Sequence, residues 1–307
     1  MQGILEVEDV VKTFRGHAAV DHASFSVEKG RFTALLGPNG SGKSTTLKMC
    51  TNLLQPDSGR ILIDGIDVCE DTVAALSGAG CVIETPMVYP DVSGRGYLEH
   101  LGRLSGMSSE TAASEAERVL GIVGMSDRCD GKVGSYSKGM RQRIVLAQSL
   151  IGDPSLMMLD EPTSGLDPQG SMEFGEILRG LNREGKTILM SSHMLHEVEG
   201  LCDSVVVIDR GRTVAQGRIS DITRLSRITV SVVGEVSDAA LRSVSEMEDV
   251  LEASKVEGGL TLRLDGGADR QADLVRDLVS MGLRVYAVRK EDPLEEAFMH
   301  ITGGDGE

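Results

Sequence analysis

Residues Gly37-Pro38-Asn39-Gly40-Ser41-Gly42-Lys43-Ser44 fit the spacing G-x-x-x-x-G-K-[ST]. An apolar run over residues 31–36 precedes them and a helical pattern follows, the setting in which this spacing holds phosphate. Glycines let the backbone wrap an anion closely and turn its N–H groups inward. A helix N-terminus behind the loop adds partial positive charge. Lys43 is placed to reach β- and γ-phosphates, Ser44 to ligate Mg²⁺, and Thr45 to lie beside an α-phosphate. The plain alternative is a Gly-rich strand–helix turn with an incidental lysine, which the context disfavours. A second cluster closes the run Ser155-Leu156-Met157-Met158-Leu159-Asp160-Glu161-Pro162. Such an apolar run implies burial on both faces, as in a central parallel strand. Ligands gather at the carboxyl ends of such strands. There Asp160 can hold the Mg²⁺ shell and Glu161 can polarise an attacking water. Two acids ending a strand mean little alone; the loop makes them a site. No N-K-x-D segment occurs, which disfavours a simple GTPase.

Those residues need parallel strands to carry them, and the pattern supplies them. Strand-length apolar runs alternate with helical periodicity up to about residue 217, as an α/β fold requires. Strands are predicted at 4–10, 23–27, 31–36, 60–64, 80–84, 156–159, 187–190 and 204–208. Helices are predicted at 43–53, 169–184 and 195–201. Between residues 94 and 150 the strand signal stops. Ala112, Ala116, Val119, Leu120 and Val123 there form one apolar helix stripe. A boundary is expected between residues 216 and 226. Beyond it the order reads strand 228–233, helix 238–247, strand 250–255, strand 260–264, helix 268–281, strand 283–288, helix 293–301. Gly258-Gly259 supplies a hairpin turn, and the order resembles a split β-α-β module.

Composition narrows the function further. The chain has 307 residues, enough for about two domains. Its net charge of −16 repels a phosphate backbone, so no nucleic-acid partner is expected. No apolar segment reaches the length of a membrane span, and the N-terminus lacks a signal core. The five cysteines, Cys50, Cys69, Cys81, Cys129 and Cys202, are never spaced C-x-x-C. They read as small core residues in a reducing compartment rather than disulfides or a zinc site. Met157, Met158, Met190 and Met194 likewise read as core filler.

Further motifs point to one family. Tyr136-Ser137-Lys138-Gly139-Met140-Arg141-Gln142-Arg143 opens a helix before the carboxylates. Ser164-Gly165-Leu166-Asp167 follows them, and Ser191-Ser192-His193 closes the next strand. Glu84 ends an earlier strand, and Phe14 precedes the phosphate loop. With these, residues 1 to about 220 resemble the nucleotide-binding subunit of ATP-binding cassette (ABC) transporters. The branch most similar serves drug, peptide-antibiotic, polysaccharide and sodium exporters. Asp292-Pro293-Leu294-Glu295-Glu296-Ala297-Phe298 and Thr302-Gly303 resemble the tail of that branch.

The resemblance implies an α/β phosphate-loop NTPase core: a mixed sheet with helices, an antiparallel β part and a helical subdomain at about 94–150. It spans residues 1–220, and a small α+β accessory domain spans 221–307. It implies that Ser137 and Gly139 contact the γ-phosphate held by a second subunit; alone, Ser137 reads as an ordinary helix cap. The segment departs from the commonest L-S-G-G-Q form at Tyr136, Lys138 and Met140. His193 is implied to bond the γ-phosphate and orient water with Glu161, although a lone histidine after a strand is usually structural. Asp167, otherwise a helix cap before Pro168, is implied to cross a dimer interface. Phe14 is implied to stack on adenine, with a core role as the alternative. Glu84 stands where most of the family has Gln; it is implied to touch Mg²⁺, and otherwise is a solvated strand end.

The expected activity is ATP hydrolysis with ATP and Mg²⁺, by two cassettes, a homodimer or pseudo-dimer, closed around two ATPs. These drive a separate membrane permease from the cytoplasmic face of the cell membrane, in the direction of export. A soluble cassette ATPase acting on ribosomes, DNA ends or iron–sulfur scaffolds, and a non-catalytic regulatory subunit, are the competing readings. Retention of Lys43, Asp160, Glu161 and His193 argues against the second of these.

Overall fold

The computed structural model describes residues 3–84, 88–222, 225–265 and 268–290. The chain divides into two compact units, Met1–Gln216 and Gly217–Glu307. The first opens with strands β1 (Leu5–Phe14), β2 (His17–Val27) and β3 (Phe32–Leu36), then helix α1 (Lys43–Cys50). Strands β4 (Ser58–Ile63) and β5 (Ile66–Asp67), helix α2 (Thr72–Leu76) and strand β6 (Ala79–Val82) follow. Three helices then come in succession: α3 (Gly94–Leu104), α4 (Ser109–Ile122) and α5 (Lys138–Ser149). The alternation resumes with β7 (Leu156–Asp160), α6 (Pro168–Arg183), β8 (Thr187–Ser192), α7 (Leu195–Leu201), β9 (Ser204–Asp209) and β10 (Arg212–Arg218).

These strands make two sheets. One is antiparallel, in the order β2-β1-β4-β5. The other has the order β10-β9-β3-β8-β7-β6, with β9, β3, β8, β7 and β6 mutually parallel. The unbroken apolar run of β7 follows from burial on both sides. Successive side chains point to opposite faces: Met157 and Leu159 pack with Phe32, Ile188, Met190, Val119 and Phe174. Leu156 and Met158 pack instead with Leu35, Leu189, Val206, Leu47 and the antiparallel sheet's Leu5 and Ile61. The expected stripe on α4 is real: Ala112, Ala116, Val119, Leu120 and Val123 are each at most 1% exposed. Ser93, Ser108 and Ser137 cap α3, α4 and α5 by accepting a backbone N–H three residues on.

The second unit holds α8 (Ile219–Ile222), β11 (Leu225–Val232), α9 (Asp238–Ser245), β12 (Val250–Val256), β13 (Gly259–Asp265), α10 (Ala268–Ser280) and β14 (Val285–Lys290). Its sheet runs β12-β13-β11-β14 with every pairing antiparallel. Strand β13 lies between β11 and β12, which is the split β-α-β arrangement. Ile228, Val230, Leu260, Leu262 and Leu264 face Val244, Leu274 and Leu278.

The structure corrects several expectations. Strand β10 is not anticipated by the sequence, because it has no buried apolar run: Arg212, Val214, Gln216 and Arg218 are exposed and the residues between them half-buried. The short β5 and α2 were also missed. Helix α1 stops at Cys50 rather than at 53, with Thr51 as its C-cap and Asn52 at φ +52°. Strand β6 ends at Val82, so Glu84, at φ +62°, lies beyond the strand. Cys69 is exposed and Cys81 and Cys202 are half-buried, so only Cys50 and Cys129 are wholly core residues. Met194 is 36% exposed, unlike the buried Met157, Met158 and Met190. The helix expected at 293–301 lies outside the described residues.

Candidate functional site

Sheet register builds the site. In the parallel sheet Leu36 stands opposite Ser192, and Asp160 stands opposite Ser191. The chain therefore leaves β3, β7 and β8 side by side at their carboxyl ends. Residues 37–44, the pair Asp160-Glu161 and the segment ending in His193 emerge together.

The loop needs glycine at two places for reasons of space. A β-carbon on Gly37 would stand 2.2 Å from the Ile208 carbonyl oxygen and 2.4 Å from Ser41 Oγ. Gly42, at φ +108°, would place one 2.5 Å from the Ala19 carbonyl oxygen. The turn after β9 braces the loop: the Gly211 N–H donates to the Ser41 carbonyl at 2.9 Å, and the Asp21 N–H donates to the Gly211 carbonyl at 2.9 Å. Gly42 caps α1 without a side-chain bond, so no side chain occupies the helix's first N–H groups. Lys43 is 5% exposed. Its Nζ donates to the carbonyls of Gly37 at 2.7 Å and Pro38 at 3.1 Å. Burial lowers its pKa, while the charges of Glu161 and Asp160 pull the other way. Ser41 Oγ is buried and has no hydrogen-bond partner among the described residues. Pro38, Asn39 and Gly40 are exposed, and Ser44 and Thr45 are half-buried. An uncapped helix start, a lysine satisfied only by carbonyls and an orphaned hydroxyl make a cradle suited to an anion.

The carboxylates are tied to this cradle. Ser44 Oγ donates to Asp160 Oδ1 at 3.1 Å. Ser191 Oγ donates to the same Oδ1 at 2.6 Å and accepts the Glu161 N–H at 2.9 Å. Glu161 has φ +43°, an uncommon conformation for a residue with a side chain. His193 Nδ1 lies 3.1 Å from Glu161 Oε1. Gln142 Nε2 donates to the Pro162 carbonyl at 2.6 Å, which links α5 to the turn after the carboxylates. A hydroxyl beside a carboxylate is the hard oxygen donor set that Mg²⁺ takes, usually completed by substrate phosphates and water. Among the described residues no three His, Cys, Asp or Glu side chains converge on a metal. The donors of Ser44 and Asp160 thus fit Mg²⁺ held with phosphate, not a closed protein cage.

Of the remaining sequence candidates, Glu84 leaves the sheet at the same edge, since Val82 of β6 pairs with Leu159 of β7. Phe14 ends β1 at 47% exposure, with Lys12 Nζ 5.9 Å from its ring centre, so it is no core residue. Glu84 is exposed and ion-paired with Lys48. Ser137 caps α5 and accepts the Met140 N–H at 3.2 Å. Asp167 caps α6 and accepts the Gly170 N–H at 2.7 Å. Ser137, Gly139, Gly165 and Asp167 line one cleft of about 820 Å³. None of residues 37–45, Asp160, Glu161 or His193 lines it. Sequence reasoning counts Ser41 among the nucleotide-binding residues of the loop but gives no role to Ser191 or Gln142. Only the pairing of β7 with β8 makes Ser191 conspicuous.

Known proteins resemble the chain in sequence and in fold. The family model described as ABC transporter matches residues 20–164. A Bacillus subtilis (strain 168) protein named as the uncharacterized ABC transporter ATP-binding protein YhcH is 34% identical over 307 residues, covering 99% of this chain and 97% of that one. The chain belongs to the ABC transporter ATP-binding proteins. The linearmycin resistance ATP-binding protein LnrL of the same organism is 33% identical over 311 residues, covering 98% of each chain. Among solved structures, cbiO1 from Clostridium perfringens, described as part of the ABC transporter complex cbiONQ, superposes with a TM-score of 0.66. It is 28% identical and covers 72% of this chain and 91% of its own. The expected fold class and ATPase family are therefore borne out: this ABC protein is a nucleotide-binding ATPase subunit. No helix among its described residues is long and apolar enough to cross a membrane.

Proposed function

We propose that this ABC ATPase works as a pair of copies closed around two ATPs, driving export through a separate membrane permease. The observation that carries this is the division of the site. The phosphate cradle with Asp160, Glu161 and His193 is one cluster, while Ser137, Gly139 and Asp167 line a cleft that contains none of it. Each copy offers one half of a site, and a second copy supplies the other. The linearmycin-resistance relative supports export of an antibiotic-like solute, and cbiO1, part of an ABC transporter complex, supports assembly with further transporter subunits. Such coupling places the protein at the cytoplasmic face of the membrane.

In this reading Lys43 and the N–H groups of residues 37–45 bind the triphosphate. Mg²⁺, when bound, neutralises phosphate charge; Ser44 and Asp160 hold it, and Glu84 joins them only by leaving Lys48. Glu161 takes the proton of the attacking water, with His193 fixing its carboxylate. Ser137 and Gly139 present the positive end of α5 to the partner's γ-phosphate. Asp167 crosses to the partner copy, and Phe14 stacks on adenine through its exposed ring. Residues 1–220, with the helical subdomain 94–150, form the catalytic domain; residues 221–307 form an accessory α+β domain.

Glu161→Gln tests the scheme. The variant should bind ATP and become a stable dimer on size exclusion, with hydrolysis slowed about 10²- to 10⁴-fold, the worth of a general base. Near-parent turnover, or a monomer in ATP and Mg²⁺, would remove the assignment.

A further inference from the structure

We infer that Ser191 is a positioning residue for hydrolysis, orienting Asp160 toward the metal and Glu161 toward the water; this rests on the reading of those carboxylates above. Ser191 is fully buried on β8, next to the apolar Leu189 and Met190. A serine that merely filled this core would have little to bond beyond its own backbone. Its hydroxyl instead crosses to β7, donating to Asp160 Oδ1 at 2.6 Å and accepting the Glu161 N–H at 2.9 Å. One hydroxyl thus uses both its capacities on two consecutive acidic residues.

The count of lone pairs gives this contact its meaning. A carboxylate offers about four acceptor sites, two on each oxygen. Asp160 Oδ1 already accepts from Ser44 Oγ at 3.1 Å and from Ser191 Oγ at 2.6 Å. Both its sites are filled, so Oδ2 is the oxygen left for the metal's water shell. Ser44 has donated its only proton to Asp160 and therefore presents lone pairs to the cation. Without Ser191 only the longer Ser44 bond holds Oδ1, and the Asp160 carboxylate turns more easily to offer either oxygen.

The second contact acts on the backbone. Glu161 sits at φ +43°, a region disfavoured by about 1–2 kcal/mol for a residue with a β-carbon. That conformation turns the side chain back toward His193. An accepted N–H bond holds it there. Because His193 is two residues along the same strand exit, β8 indexes metal carboxylate, general base and imidazole from one register.

The test uses the full chain with Ser191→Ala and the hydroxyl-retaining Ser191→Thr. Two readouts apply: kcat and KM for ATP across a Mg²⁺ titration, and fluorescent ATP-analogue affinity in EDTA and in Mg²⁺. Ser191→Ala should lower kcat about ten- to a hundredfold, the worth of hydrogen bonds to an ionised group. It should shift the Mg²⁺ requirement upward and leave KM and the EDTA affinity near the parent's. Ser191→Thr should recover both kcat and the Mg²⁺ response. The inference is overturned if Ser191→Ala matches the parent in Mg²⁺ response and kcat. It is also overturned if Ser191→Thr falls as far as Ser191→Ala while both keep the parent's melting temperature. A parent whose nucleotide binding ignores Mg²⁺ would instead remove the metal reading of Asp160 and this inference with it.

Discussion

Replacing Lys43 by methionine separates the energetics of the empty loop from those of the loaded one. In the free chain Nζ is buried and donates only to the carbonyls of Gly37 and Pro38. Burial disfavours its charge, so Lys43→Met removes a penalty while leaving the Gly37 carbonyl without its donor. Pro38 keeps the Ser41 N–H at 3.1 Å. These effects oppose each other, and the melting temperature without nucleotide should move by no more than about 2–4 °C, the equivalent of about 1 kcal/mol. With nucleotide the balance changes. At about 4 Å and an effective dielectric of about 20, one phosphate charge and the ammonium attract by about 4 kcal/mol. That corresponds to about a thousandfold in affinity.

The assay is a thermal melt with ATP or ADP and Mg²⁺ at about a hundredfold the parent's Kd, where binding adds about 2.7 kcal/mol of stability. In a domain of this size that raises the parent's melting temperature by about 5–11 °C. A thousandfold weaker variant gains less than about 0.1 kcal/mol and should not shift measurably. A Lys43→Met chain that keeps the parent's nucleotide-induced shift would refute the placement of phosphate at this loop.

Gly42→Ala should destabilise the chain by at least about 1–2 kcal/mol from its left-handed backbone alone. Its β-carbon would also meet the Ala19 carbonyl oxygen at 2.5 Å, so nucleotide binding should go as well. Gly40→Ala is the control in a nucleotide-free melt: φ is +82° but nothing lies within 4 Å of the added carbon, so it should cost less than Gly42→Ala; equal melting would show that the collision is relieved. Alkaline pH should expose Lys43. Its lowered pKa means the unfolded chain holds that proton to higher pH, so the penalty is present in full below the lowered value and fades as pH rises toward 10.5. Phosphate favours the charged form, so ATP binding in that window should take up a proton. Calorimetry in two buffers of different ionisation enthalpy reads the uptake, which should vanish in Lys43→Met.

The phosphate loop and the two carboxylates were legible because their chemistry lies in consecutive residues, with glycines and an apolar run to frame them. The stripe Ala112, Ala116, Val119, Leu120 and Val123 was legible because a buried helix face repeats at fixed spacing. Strand β10 was not, since an edge strand whose Arg212, Val214, Gln216 and Arg218 are exposed has no apolar run to announce it. Ser191 escaped for a different reason. Its role comes from standing opposite Asp160 in a neighbouring strand 31 residues away, and such pairing is a property of the sheet. Glu84 was read as a strand end beside the metal. The early end of β6 leaves it in a left-handed conformation, paired with Lys48 from α1.

The charge of the chain bears on why a triphosphate would be needed to join two copies. Each carries a net −16, so they repel at long range, and the nucleotide brings more negative charge. Salt screens distant charges beyond about 8 Å, but contacts in a closed interface are screened far less. The work must therefore fall to a few local cations. Arg128 and Lys138 line the cleft around Ser137 beside Asp167, while Arg143 there is paired with Glu173 at 2.6 Å. A β-carbon on Gly165 would stand 1.9 Å from Lys138 Nζ, so that ammonium rests over the turn leading to Asp167. In the proposed pair this positive lip meets the outermost phosphate presented by Lys43 of the other copy. A diphosphate ends short of it and leaves the acidic surfaces facing each other with less to offset them. On the proposed reading the γ-phosphate tips that balance toward closure, and its loss weakens the contact between the two copies.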